Sequence, residues 1–216
     1  MAIVLKKSIG EQIQWALWEI TESEQTLCQE FTSHCDVTDK LAHITHPLKR
    51  REYLASRALL RQLLVEQGVD LCSIAKDQNG KPYFPDCQCK FSLSHSAQYA
   101  AAVLSQDAIG IDLEPITPKI LHLAPRFLSE KELPYALTSA THATVYWCAK
   151  EAMYKLFNQT ASSLRDHFWV ENFELVGNTD APNFTIGRLQ TPDFEGKAQL
   201  QFQIWDNHVV ALAWPI

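Results

Sequence analysis

Residues 90–116 read KFSLSHSAQYAAAVLSQDAIGIDLEPI. Three runs of strand-forming residues are broken at SHSAQ and at SQD, and the last run holds GIDLEP, residues 110–115. Side chains at i and i+2 of a strand share a face, so Asp112 and Glu114 project together while Ile111 and Leu113 point the other way. Like charges roughly 5 Å apart repel by about 1 kcal/mol in water and about 3 kcal/mol at an effective dielectric near 20. A half-buried strand carrying both acids must raise a pKa or gain a cation. Mg²⁺, which takes carboxylate oxygens together with substrate phosphates, meets that need.

Two long helices flank this segment in sequence. From Pro47 to about Gln67, Leu48, Tyr53, Leu54, Ala58, Leu59, Leu63 and Leu64 recur at helical spacing, and Gly68 supplies a stop. Within it, LKRREYLASRALLR (48–61) sets Lys49, Arg50, Arg51, Arg57 and Arg61 against a single Glu52. That stripe reads either as a solvated face or as an anion site for phosphates. The second helix, THATVYWCAKEAMYKLFN (141–158), places Glu151 and Lys155 four residues apart on one face. Such a pair is ordinarily a surface bridge worth roughly 0.3–0.5 kcal/mol. Beside the two strand acids it offers a third carboxylate and a cation, and metal with positive charge suggests a diphosphate substrate. SLSHS (92–96) lacks the G-x-S-x-G nucleophile turn. Ser94 and His95, placed in a loop, offer hydroxyl and imidazole donors to phosphate oxygens, or are incidental turn residues.

Elsewhere, IQWALWEI (13–20) reads as a strand, residues 38–45 as helical, NGKPYFPD (79–86) as turn chemistry, and SEKE (129–132) as a capping box that should open a helix. FELVGN, FTIGRLQ, KAQLQFQIWD and HVVALAW read as strands joined by turns. ASRALLRQLL (55–64) and CAKEAMYKLF (148–157) echo one another, and each is followed by a hairpin-like pair of strands. The expected fold class is therefore α+β: two similar α/β lobes related by a pseudo-twofold axis, 1–105 and 106–216, with a cleft along the seam. The echo is also short enough to arise by chance.

A chain of 216 residues with 46% hydrophobic content can bury a full core. Its net charge of −6 argues against nucleic acid and anionic membranes as partners. Six cysteines in so core-rich a chain read as thiols rather than staples, and the Cys87–Cys89 C-x-C pair lacks zinc spacing. MAIVLKKSIG has no apolar h-region and no window spans a membrane, which predicts a cytoplasmic protein.

Taken in order, KP (81–82), FSLSHS (91–96), GIDLE (110–114), RFLSEKEL (126–133) and WCAKEAMYKLF (147–157) resemble the 4'-phosphopantetheinyl transferases of the longer, two-lobed type that includes the activator of surfactin synthetase. The specific part is G-I-D-x-E followed about forty residues later by W-x-x-K-E-A-x-x-K. The resemblance implies transfer of the phosphopantetheine arm of coenzyme A to a serine of an apo acyl or peptidyl carrier protein, with Mg²⁺ and release of adenosine 3',5'-bisphosphate. It implies that Asp112, Glu114 and Glu151 gather the metal, with Asp112 also against the coenzyme A diphosphate. Glu151 then takes the serine proton, directly or through water, and Lys155 neutralises charge growing on the diphosphate. Arg57, Lys81, Ser94 and His95 match positions that hold the nucleotide end, including its 3'-phosphate, and Lys49 and Arg50 stand near them. Ser92 replaces the Asn that many relatives carry. Arg126 and Lys131, among the apolar residues of 115–144, are candidates for docking an acidic carrier; that stretch equally reads as helix packed on the second lobe. Two lobes in one chain favour a monomer. A Mg²⁺-dependent enzyme on another nucleotide diphosphate, and a non-catalytic relative that binds coenzyme A or a partner, are the competing readings.

Overall fold

Alternating residues at 3–9 and 13–19 form antiparallel strands β1 (Ile3–Ile9) and β2 (Ile13–Glu19), joined at Gly10, whose φ of +59° suits glycine. The computed structural model describes residues 3–29, 31, 41–69, 73–159, 162–175 and 181–216. By internal contacts the chain divides into two compact units, Met1–Asp107 and Ala108–Ile216.

In the first unit, a short helix α1 (Glu24–Gln29) precedes the long helix α2 (Pro47–Glu66). Helix α2 starts where Pro47 occupies the first turn and His46 Nδ1 accepts from the Leu48 N–H, and it ends at Gln67 before Gly68 at φ +65°. A miniature hairpin, β3 (Ala75–Lys76) and β4 (Pro82–Tyr83), encloses the Asn79–Gly80 turn. Strands β5 (Lys90–His95) and β6 (Tyr99–Ser105) complete a four-stranded antiparallel sheet in the order β1-β2-β6-β5. Leu54, Ala55, Leu59 and Leu63 of α2 pack with Trp18, Ala100 and Ala102. The small side chains of β6 let the helix approach closely, and each fully buried leucine contributes about 1.5–3 kcal/mol.

The second unit begins with β7 (Gly110–Pro115), followed by α3 (Lys119–Leu123), a 3₁₀ turn (Ala124–Arg126) and the single-turn α4 (Leu133–Ala136). Helix α5 (Ala140–Phe157) is capped by the Ser139 hydroxyl, which accepts from the His142 N–H, and closes on the left-handed Asn158. Strands β8 (Phe168–Val170), β9 (Asn183–Gln190), β10 (Glu195–Trp205) and β11 (His208–Pro215) join β7 in a five-stranded antiparallel sheet, β7-β11-β10-β9-β8. Val145, Cys148, Ala149, Ala152 and Met153 of α5 pack against Leu200, Phe202, Val209 and Ala211. A Cβ on Gly110 would stand 2.0 Å from the Ala152 carbonyl oxygen, so glycine alone admits the helix this close to β7.

Both units are helix-on-antiparallel-sheet, an α+β architecture. Several local expectations change. Ser94 and His95 are the last two residues of β5, not part of a loop, because the β5–β6 ladder runs to His95 opposite Ala100. SEKE is followed by a helix, as its capping-box hydrogen bonds from Ser129 to the Glu132 carboxylate suggest, but it begins only at Leu133 and lasts one turn, and Lys150 and the Val170 N–H also hold Glu132. Phe173–Leu175 of FELVGN is not a strand, 176–178 lie outside the described residues, and the strand is Phe168–Val170. Leu41 and Ala42 are helical, while 38–40 lie outside the described residues. Cys28, Cys87, Cys89 and Cys148 form no disulfide; Cys35 and Cys72 lie outside the described residues. No described helix is long and apolar enough to cross a membrane.

Candidate functional site

The acids of β7 face α5. Asp112 and Glu114 lie opposite Ala211 and Val209 of β11, residues of the α5-packed core. Asp112 is 4% exposed, and its Oδ1 accepts from Lys155 Nζ at 2.7 Å. The same ammonium donates to the Ile111 carbonyl at 2.9 Å. Glu114 Oε1 accepts from the Trp147 indole N–H at 3.0 Å, and the Trp147 ring rests edge-on against Phe127, with 4.8 Å between centroids.

Glu151 is half-buried one turn before Lys155. The ordinary i,i+4 bridge does not form: Lys155 turns to β7, and Glu151 makes no ion pair among the described residues. Burial pushes the Glu151 carboxyl up to about 7, Asp112 and Glu114 add to the rise, and Lys155 opposes it. Cys148, one turn before Ala152 on the same helix, is fully buried and donates to the Val209 carbonyl. Burial first, then Asp112 and Glu114, push its thiol well up, so it is an inert core residue.

The donor set matches Mg²⁺ in kind, being all carboxylate oxygen, and in charge, since three carboxylates face one ammonium. Burial accounts for most of the rise of Glu151, and Asp112 and Glu114 add to it. Among the described residues no three acidic, His or Cys side chains stand together as a ready-made metal cluster, because Lys155 and Trp147 each draw one strand acid toward a hydrogen bond.

A groove of about 620 Å³ adjoins Glu114 and Trp147, lined also by Ile120, Leu123, Arg126 and Phe127. A more open depression of about 750 Å³ lies by Lys131, Tyr135, Trp169 and Arg188.

In the first unit, Arg57 covers the Tyr53 ring at 3.6 Å and donates to the Tyr53 carbonyl and the Ser56 hydroxyl. Burial pulls its pKa down. No carboxylate pairs with it among the described residues. Arg50 instead grips Glu24 and the Ile44 carbonyl, tying α1 and residues 41–44 to α2. Lys81 is half-buried by the β3–β4 turn; burial lowers its pKa and Asp77 partly restores it. Ser94 is buried, and His95 is exposed at the strand end.

Two acids to which the sequence reading gave no pairing partner are buried in ion pairs. Glu132 is buried and holds Lys150, whose three ammonium protons go to Glu132 Oε2 and to the Phe127 and Leu164 carbonyls. Glu52 is also fully buried, between Lys49 at 2.7 Å and His95 Nδ1 at 3.0 Å. Its isolation among basic residues in 48–61 was the available sign; for Lys150 the sign was a charge beside the apolar stripe of α5.

A profile of the 4'-phosphopantetheinyl transferase superfamily matches residues 108–213, and one of the 4'-phosphopantetheinyl transferase N-terminal domain matches 38–105. The chain is 35% identical over 115 residues to 4'-phosphopantetheinyl transferase PptT of Mycobacterium tuberculosis, covering 50% of each chain. It is 27% identical over 130 residues, 54% of each chain, to 4'-phosphopantetheinyl transferase gsp of Aneurinibacillus migulanus. Over 120 residues it is 33% identical to enterobactin synthase component D of Salmonella typhimurium, covering 51% of this chain and 49% of that one. The chain thus spans about half the length of the curated relatives it matches. With the two profiles matching in succession along its two units, this chain belongs to the 4'-phosphopantetheinyl transferase superfamily.

Proposed function

We propose that the chain transfers the 4'-phosphopantetheine arm of coenzyme A to a serine hydroxyl of an apo acyl or peptidyl carrier protein, releasing adenosine 3',5'-bisphosphate. The observation that carries this reading is the half-buried Glu151 carboxyl, pushed up to about 7 beside Asp112, Glu114 and Lys155. A base poised near neutrality suits removal of a hydroxyl proton. The neighbouring acids suit Mg²⁺, held by Asp112, Glu114 and Glu151, which supplies charge neutralisation and alignment for a diphosphate.

The serine oxygen forms its bond to the phosphorus bearing the pantetheine arm. The bond from that phosphorus to the bridging oxygen breaks, leaving the electron pair on adenosine bisphosphate. Glu151 accepts the serine proton. Lys155 faces the charge that grows on the departing phosphate; its ammonium is already aimed by Asp112 Oδ1 and the Ile111 carbonyl, so little reorganisation is needed. Transfer of this kind depends on alignment and charge stabilisation rather than on a covalent enzyme intermediate. Arg57, Lys81, Ser94 and His95 of the first unit hold the nucleotide end; the half-buried Arg57 guanidinium, which pairs with no carboxylate among the described residues, is well suited to a phosphate. The groove beside Glu114, with apolar Ile120, Leu123 and Phe127 under Lys119 and Arg126, suits an acidic carrier presenting its serine.

The test is to incubate the protein with coenzyme A, Mg²⁺ and a panel of apo acyl and peptidyl carriers and to weigh the carriers. A phosphopantetheine mass gain that a chelator abolishes is the expected result. No gain on any carrier, from protein that is folded, overturns the reading.

A further inference from the structure

Trp147, Glu151 and Lys155 stand four residues apart on α5 and so share one face of the helix. The outer two each donate to an acid of β7: the Lys155 ammonium to Asp112 Oδ1 at 2.7 Å, the Trp147 indole N–H to Glu114 Oε1 at 3.0 Å. The lysine brings Asp112 a counter-charge. An indole carries no charge and a single donor fixed in the plane of its ring, so what it gives Glu114 is direction.

Direction matters for a carboxylate that is to hold Mg²⁺. Glutamate has one more rotatable bond than aspartate and gives up more freedom when it is fixed. Mg²⁺ tolerates little departure from octahedral oxygen geometry. A ligating carboxylate is therefore commonly oriented by a hydrogen bond from outside the coordination sphere. Two oxygens with about four acceptor directions let a carboxylate take the indole proton and still face a cation.

The indole is itself braced. The half-buried Trp147 ring lies edge-on against Phe127, with 4.8 Å between centroids. Phe127 is buried, and its carbonyl accepts from Lys150, the ammonium that also donates to the buried Glu132. Support runs from the Lys150–Glu132 pair through Phe127 and Trp147 to Glu114. A ring that served packing alone would not need the N–H.

We propose that Trp147 is a positioning residue: its indole N–H fixes the Glu114 carboxylate in the orientation in which it binds Mg²⁺. The inference rests on the assignment of Glu114 to the metal made above.

Trp147→Phe keeps an aromatic ring beside Phe127 and deletes the N–H. Mn²⁺, followed by electron paramagnetic resonance, is titrated into the folded full chain with coenzyme A, in wild type, Trp147→Phe, Glu114→Gln and the double variant. The Mg²⁺ dependence of carrier mass gain is measured on wild type and Trp147→Phe. Trp147→Phe is expected to weaken Mn²⁺ about 10–100-fold and to raise the half-saturating Mg²⁺ by a like factor, while the rate at saturating Mg²⁺ and the metal-free unfolding temperature stay near wild type. The double variant should bind Mn²⁺ no more weakly than Glu114→Gln. Wild-type Mn²⁺ affinity in folded Trp147→Phe overturns the proposal, and so do losses from the two single variants that simply multiply. A fall in rate that no Mg²⁺ concentration restores, at unchanged half-saturation, also overturns it, because Trp147 then serves the substrate and not the metal. If Trp147→Phe does not fold, the wild-type indole decides: ¹⁵N NMR should find its N–H slow to exchange with and without Mg²⁺. Faster exchange on metal binding means that Glu114 leaves the indole, which sinks the proposal. Should wild type with coenzyme A bind no Mn²⁺, the assignment of Glu114 to the metal falls, and the inference with it.

Discussion

Helix α5 carries two lysines, five residues apart and hence about 140° apart around its axis, each paired to an acid at 2.7 Å. Lys150 is 0% exposed and gives all three protons to Glu132 and two carbonyls, while Glu132 also takes the Ser129 and Val170 N–H groups. Lys155 keeps 27% of its side chain exposed beside a strand acid, with Glu114 and Glu151 close enough to shift one another's surroundings. The difference lies in saturation. A pair whose donors and acceptors are all used inside the fold can only hold it together, here cross-tying α4, β8 and the 127–132 turn to α5. A pair standing in an excess of negative charge is left with charge that the fold itself does not balance.

That contrast can be broken by experiment. Glu151→Gln should lower phosphopantetheine transfer by about 10²–10⁴-fold, equivalent to roughly 3–5 kcal/mol of barrier, while thermal unfolding stays near wild type. A large loss of stability instead would make Glu151 structural. Lys150→Ala should do the reverse: leaving Glu132 buried without its cation should cost about 3–5 kcal/mol in denaturant unfolding. If that variant is as stable as wild type but inactive, the division between the two lysines is wrong. Gly110→Ala should cost about 1–3 kcal/mol, since its methyl meets the Ala152 carbonyl backbone and pushes α5 off β7; carrier mass gain should fall with it, because Glu151 and Lys155 move from Asp112. Lys150→Met with Glu132→Leu sharpens the comparison. Replacing a whole buried pair by apolar groups of similar volume is often neutral, so unfolding should recover most of what Lys150→Ala loses. Smallest of all, Arg188→Ala at the exposed Glu171 pair should change stability by less than about 1 kcal/mol.

The outlines of α2 and α5 were plain in the chain because their apolar residues repeat at 3.6, and for α2 because Pro47 and Gly68 bound it; the caps of α5, Ser139 and Asn158, came only with the structure. Strand-forming residues likewise marked β2, β9, β10 and β11, by alternation in β2, β9 and β10 and by a continuous apolar run in β11. The three-residue β8 lacked length, and the first strand, IVLKKSI, mixes lysines into its apolar run, so neither stood out. SEKE marked its capping bonds and the helix after it but not the further role of Glu132, because a capping box depends on neighbouring residues only, while Glu132 also answers to Lys150, eighteen positions on. His95 looked like a loop residue beside Ser96 and Ala97, yet pairing with β6 carries the strand through it.

By itself the sequence determined which residues share a face: Asp112 with Glu114 along a strand, Glu151 with Lys155 along a helix, since those periods belong to the backbone. It also determined, through its ordered motifs, the superfamily. Only the tertiary structure decided where each charge goes. Lys155 leaves Glu151 for Asp112, Lys150 disappears into the core with Glu132, and Glu52 sinks beneath His95, because the value of a charge is set by the dielectric and the partners around it. Those come from packing between segments distant in the chain.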